Sequence, residues 1–137
     1  MLQIVNSEIE IIVSPLEKKI NTPEQNHYSH WLDCYLEFKC KGISLAGTWG
    51  CFVGELEQFK STLLDLKNDK LESAIIFSPQ EGMFSLTITK SKERNIYALH
   101  FKIFPELRSD IFVQGETSLG QLNIDELLSG LNNLINF

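Results

Sequence analysis

Trp31-Leu-Asp-Cys-Tyr-Leu-Glu-Phe-Lys-Cys-Lys-Gly-Ile-Ser-Leu-Ala-Gly-Thr-Trp-Gly-Cys-Phe52 alternates about a Lys41-Gly42 dipeptide, the pattern of a β-hairpin closed by a two-residue turn. Successive side chains of a strand point to opposite faces, so Leu32, Cys34, Leu36, Phe38 and Cys40 share one side. Pairing outward from the turn sets Cys40 opposite Ile43, Phe38 opposite Leu45, Leu36 opposite Gly47, Cys34 opposite Trp49 and Leu32 opposite Cys51. All of these fall on one apolar face. The three cysteines therefore read as core packing, and free thiols are expected, because Cys34 and Cys51 are diagonal neighbours and a bridge between them needs special geometry.

The remaining composition is that of an ordinary globular chain. In 137 residues, 43% are apolar and 22% charged, which argues against intrinsic disorder and for a single domain spanning residues 1–137. At this size folding removes roughly 68% of the unfolded chain's surface from water, enough for one good core. A formal charge of −6 repels phosphate backbones, so nucleic acid is not an expected partner and a cationic one is. Met1-Leu-Gln-Ile-Val-Asn-Ser-Glu8 has neither a basic n-region nor an apolar stretch of leader length, and no apolar run is long enough for a bilayer. The expectation is a soluble cytoplasmic protein with no membrane partner.

Outside the hairpin, Ile9, Ile11 and Val13 alternate with Glu8, Glu10 and Ile12, so residues 2–13 read as one strand or two short ones. Ser14 to Ser29 is polar, contains Pro15 and Pro23, and reads as a long loop. Leu56, Phe59, Leu63 and Leu66 draw one helical stripe over residues 55–68, with Gly54 as N-cap and Glu55 and Glu57 favourable at the positive end of the helix dipole. Ser73–Ser78 reads as a strand buried on both faces, and Phe84–Ile88 and Tyr97–Ile103 as half-buried strands; Ile111–Glu116 is the last strand. Asn123 followed by Glu126 is a capping-box signal, and Leu127, Leu128, Leu131, Leu134 and Ile135 continue at helical spacing over 123–136. The predicted class is α+β: a twisted, largely antiparallel sheet in the order β-β-β-α-β-β-β-β-α, its apolar side covered by two helices.

No spacing marks a reactive centre. His27, His30 and Cys34 stand at i, i+3 and i+7, but the strand alternation that starts at Trp31 forbids a shared helical face, and His30 and Cys34 in extended chain lie about 13 Å apart. His100 alternates with Leu99 and Phe101 and has no nominated nucleophile or orienting group. The glycines at 42, 47, 50 and 54 match no phosphate-binding pattern. Neither a catalytic residue nor a metal or cofactor is predicted. The polar face of the hairpin is the candidate: Trp31, Asp33, Tyr35, Glu37 and Lys39 oppose Phe52, Gly50, Thr48, Ala46 and Ser44, setting large aromatics beside small residues. With acids flanking the aromatics, Trp31, Asp33, Tyr35 and Glu37 form a candidate patch for a basic protein partner, extended by the anionic Glu55 and Glu57.

The Trp31-Leu32 strand entry, the helix entry Phe52-Val-Gly-Glu-Leu-Glu-Gln-Phe59 with Leu63 and Leu66, the runs Ala74–Phe77 and Glu81–Ile88, and the ending Gly115–Leu131 together resemble the WapI-type immunity proteins of bacteria. The likeness spans roughly residues 28 to 136. It departs at Glu116-Thr-Ser-Leu-Gly120, where family members tend to read Glu-Thr-Asp-Gln-Thr. The resemblance implies a small cytosolic protein that neutralises a nuclease-type toxin by stoichiometric binding. Two other expectations stand beside it: a small-molecule-binding protein or enzyme with a pocket between sheet and helix lined by Trp49, Phe59 and Phe101, and an assembly subunit with a symmetric homo-oligomer interface.

Overall fold

In a computed structural model describing residues 1–20, 27–72, 75–79 and 81–137, with the backbone only of Ile75 and Ile76, strands form in two consecutive groups, each followed by a helix. The first group is β1 (Leu2–Val5), β2 (Ile9–Lys19), β3 (Trp31–Cys40) and β4 (Ile43–Phe52), followed by α1 (Val53–Lys67). The second is β5 (Ile75–Phe77), β6 (Phe84–Lys90), β7 (Ile96–Ile103) and β8 (Val113–Gly120), followed by α2 (Gln121–Ile135). All pairings are antiparallel. The α+β class and element order hold, with the N-terminal stretch taking its two-strand form. The strands divide into two four-stranded sheets, A (β1-β2-β3-β4) and B (β5-β6-β7-β8), rather than forming one.

The hairpin register is the one its alternation dictates, from Cys40↔Ile43 through Leu32↔Cys51 without a shift. Gly42 takes φ +80°, a conformation that closes the turn without strain only in glycine. The apolar faces of the two sheets meet directly: Phe38 packs on Phe101 at 5.2 Å between ring centroids and Trp49 on Phe84 at 5.4 Å. Each sheet's apolar side is thus covered by the other sheet together with the helices, not by helices alone. Leu56, Phe59, Leu63 and Leu66 of α1 and Ile124, Leu127, Leu131 and Leu134 of α2 complete the same core. The two helices pack on each other and are joined by Lys67 and Asp125 at 2.7 Å.

Several boundaries move. β2 runs on to Lys19 through the stretch expected to be loop; the segment beyond Val13 has no β1 partner, and a bulge between Pro15 and Glu17 absorbs the proline. The loop expected over 21–26 lies outside the described residues, as does the start of the strand expected from Ser73. The N-cap of α1 is Phe52, not Gly54, and that of α2 is Gly120, not Asn123. In both helices the third residue supplies the cap: Glu55 Oε2 accepts from the Phe52 N–H at 2.8 Å, and Asn123 Oδ1 accepts from the Gly120 N–H at 3.0 Å. β8 accordingly extends through the expected connection to Gly120, and Ile111 lies outside it.

Hydrogen bonds close the seam between β1 and β8. Asn6 Nδ2 donates to Thr117 Oγ1 and to the Ser118 carbonyl at 2.9 and 3.0 Å, and Thr117 Oγ1 donates to Glu8 Oε1 at 2.6 Å. Asn123 Nδ2 donates to the Val5 carbonyl at 2.9 Å, and Gly130 brings α2 against the Leu2 backbone.

Candidate functional site

The face of sheet A turned away from the core carries Trp31, Asp33, Tyr35 and Glu37 in one row along β3, as alternation requires. Its residues are not equivalent. The Trp31 indole lies over Gly50, where an added Cβ would come within 2.5 Å of Cζ2; it meets the Phe52 ring edge-on at 4.9 Å and donates from Nε1 to Asp33 Oδ1 at 2.8 Å. Asp33 Oδ2 in turn pairs with Lys19 Nζ at 2.8 Å. The hydrogen bond from Lys19, helped by the one from Trp31, holds the Asp33 carboxyl below its ordinary value against the opposing effect of desolvation. Trp31 is therefore a half-buried, oriented ring rather than an open aromatic surface. The glycine diagonal to it in the hairpin was the sequence signal for that packing.

Tyr35 is the exposed member of the row, 37% accessible, between Ser14 on β2 and Thr48 on β4. Glu37 stands next along the strand between Ile12 and Ala46. Small or polar neighbours at Ser14 and Thr48 leave the tyrosine ring exposed, and Glu37 beside it is half-buried. Glu55 and Glu57 belong to α1 and not to this face; the Glu55 carboxylate is engaged by the Phe52 N–H and Glu57 is half-buried. The structure thus groups four of the six predicted residues and assigns Glu55 to helix capping.

Beside Asp33, a cleft of about 470 Å³ opens around the β4 edge. Four carboxylates border it, Glu17, Asp33, Glu81 and Glu106, drawn from β2, β3, the β5–β6 turn and the β7–β8 loop. No basic residue lines it among the described residues. Glu81 is placed by the turn in which Gly82 adopts φ +71° and its N–H bonds the Pro79 carbonyl; from there Oε2 accepts the Gly50 N–H at 3.1 Å. Leu16 and Leu107, both about half exposed, stand at the rim. Apolar contacts ringed by carboxylates suit a lysine- or arginine-bearing protein surface, whose aliphatic stems and charged heads need both.

The other residues weighed from sequence do not converge. Trp49, Phe59 and Phe101 are core side chains: Trp49 and Phe59 pack on Phe77, and Phe101 packs on Phe38. Trp49 borders the acidic cleft and Phe101 a separate groove at the β1–β2 turn. His27 and His30 rings are 5.5 Å apart, whereas Cys34 is on the buried face of β3. His100 is exposed on the outer face of sheet B, paired with Thr87 and Glu116. Burial pushes the Cys34 thiol up to about 12 and raises that of Cys51 as well, so neither is a thiolate at neutral pH.

Among the described residues, fold and surface define a two-sheet α+β protein whose β3 outer face carries Trp31, Asp33, Tyr35 and Glu37 beside Lys19 and Lys39. No family model matches the chain, and no curated protein matches it.

Proposed function

We propose that the chain is a non-catalytic protein-binding module, an immunity-type protein that neutralises a basic toxin domain of nuclease type by one-to-one binding. The observation that carries this reading is the continuity of the Tyr35–Glu37 face with the cleft of Glu17, Asp33, Glu81 and Glu106. A nuclease presents a cationic channel to its substrate, and an acidic surface carrying an aromatic anchor complements it in charge and steers encounter. The net charge of −6 acts in the same direction, and the resemblance of residues 28–136 to WapI-type immunity proteins supports it. Tyr35 supplies the desolvated anchor, Glu37 and the cleft carboxylates select cationic side chains, and Trp31 keeps Asp33 and Lys19 in register beneath them.

The test is co-expression with a toxin domain encoded in the adjacent gene. The expected results are survival of the host, a one-to-one complex, and an association rate that falls steeply with salt. The double substitution Tyr35→Ala with Glu37→Ala weakens binding by roughly tenfold or more while leaving Tm unchanged. Survival without complex formation, a salt-independent rate, or a large loss of stability in the double variant overturns the assignment.

A further inference from the structure

The β4 strand is an edge of sheet A, and the direction of each of its backbone groups is determined. A two-residue turn makes Cys40 and Ile43 a hydrogen-bonded pair, so Ile43, Leu45, Gly47 and Trp49 bond to β3. The N–H and C=O of Ser44, Ala46, Thr48 and Gly50 then point out of the sheet. The bond from the Gly50 N–H to Glu81 establishes the same parity independently and closes that end of the edge. Ser44, Ala46 and Thr48 have no backbone or side-chain partner for their outward groups among the described residues.

Other edges carry protection that β4 lacks. The β1 edge is met by Asn123 and by α2, and β8 bears Glu116 on its rim and gives its Ser118 carbonyl to Asn6. β4 has ten residues, Ile43–Phe52, without a charge, a proline or a bulge. In a chain of net charge −6, β4 itself brings no charge into such a contact, and Glu81 and Glu106 border the cleft at its Gly50 end.

We propose that β4 pairs with β4 of a second copy, antiparallel about a two-fold axis at Ala46, merging two A sheets into one of eight strands. This register uses every free group: Ser44 faces Thr48 of the second copy, Ala46 faces its own equivalent, and Thr48 faces Ser44, giving about six new hydrogen bonds. On the outer face these side chains are small and their pairs are neutral or hydroxyl to hydroxyl. On the opposite face Leu45 falls beside Gly47 of the other copy, twice by symmetry, next to the Pro105 carbonyl that stands over each Gly47. Glu37 and its equivalent on β3 stand three strand spacings or about 14 Å apart, beyond the Debye length of about 8 Å at physiological salt. The Tyr35–Glu37 row remains open on one continuous face, whereas the cleft lined by Thr48 and Gly50 adjoins the paired edge; the pairing itself does not depend on what the row binds.

Sedimentation equilibrium of the full chain over a concentration series tests the proposal, with amide exchange as the local readout. The wild type is expected to reach dimer mass, with the Ser44, Ala46 and Thr48 amides gaining protection as concentration rises. Ala46→Pro removes the central outward donor at a position where the β3 ladder does not use it. Ala46→Lys, which keeps the backbone intact should the proline variant not fold, sets two ammonium groups opposite each other. Either variant weakens the dimer by tenfold or more with unchanged secondary structure. A wild type that stays monomeric at millimolar concentration, a Lys variant that dimerises as tightly as wild type, or protection appearing instead at Gln114 and Glu116 of the β8 edge overturns it. So does a monomer whose β4 amides are protected only when a toxin domain is added.

Discussion

Replacing Gly130 by alanine reverses the usual sign of a helix-interior substitution. In an exposed helix, alanine stabilises relative to glycine by about 1 kcal/mol, because less backbone entropy is lost on folding. At Gly130 the new Cβ would stand 2.6 Å from Leu2 Cα and 3.0 Å from Leu2 Cβ. The obstacle is the backbone of β1, which no rotamer change removes. Relief requires α2 and β1 to separate, yet the Asn123 bond to the Val5 carbonyl and the burial of Leu2 and Ile4 hold them together. Overpacking of this kind costs about 1–3 kcal/mol, and contact with main chain places it in the upper half of that range. Setting the propensity gain against it leaves a net loss of about 1–2 kcal/mol, or about 3–8 °C in Tm for a domain of this size. Urea unfolding followed by tryptophan fluorescence measures the difference. Ser129→Ala, at the exposed preceding position, isolates the propensity effect and should stabilise by no more than about 0.5 kcal/mol. Should Gly130→Ala equal or exceed the parent in stability while Ser129→Ala behaves as stated, the close approach of α2 to β1 is refuted.

Asn123→Ala removes both the cap of α2 and the donor to the Val5 carbonyl, for an expected loss of about 1–2 kcal/mol; Asn123→Asp retains the acceptor and recovers part of it, as denaturant titration will report. Because Asp33 is held below its ordinary value of 3.8, the unfolded chain binds more protons at low pH; the stabilisation is complete above 3.8 and is lost as pH falls through the folded value. Asp33→Asn should therefore flatten the stability curve in that acid window alone. With Cys34 and Cys51 fully buried and their thiols shifted upward, both should resist iodoacetamide at pH 8 in the native protein and react on unfolding, with the half-buried Cys40 modified first; peptide mapping distinguishes the three.

The hairpin was legible to the residue because its information is local: alternation fixes the face, and Lys41-Gly42 fixes the register. The α1 stripe was legible for the same reason, each of its four leading apolar residues being buried. Neither helix start follows from residue preference at the N-cap, where Gly54 and Asn123 are the favoured residue types. Phe52 and Gly120 supply no capping side chain, and the third residue of each helix reaches back instead. Pro15 read as a breaker, since sequence alone does not show that β1 ends opposite Val13 and leaves the rest of β2 an edge. Of the candidate face, β3 alternation was sufficient to group Trp31, Asp33, Tyr35 and Glu37. Glu81 and Glu106 were out of reach, because they come from turns of sheet B that meet Glu17 and Asp33, neighbours within sheet A, only through the packing of one sheet on the other.

The seam between the first strand and the last has a consequence for how the molecule is made. Its bonds join residues 109 to 118 positions apart, and Lys18 adds another to the Ile135 carbonyl across 117. On a ribosome β1 can pair with β2 early, but its seam bonds wait until β8 and α2 have emerged, whereas the hairpin of β3 and β4 can close as soon as it is made. Completion of the native packing is in this way tied to synthesis of α2, and a chain halted before β8 lacks the helix surface that packs on β1 over Leu2 and Ile4.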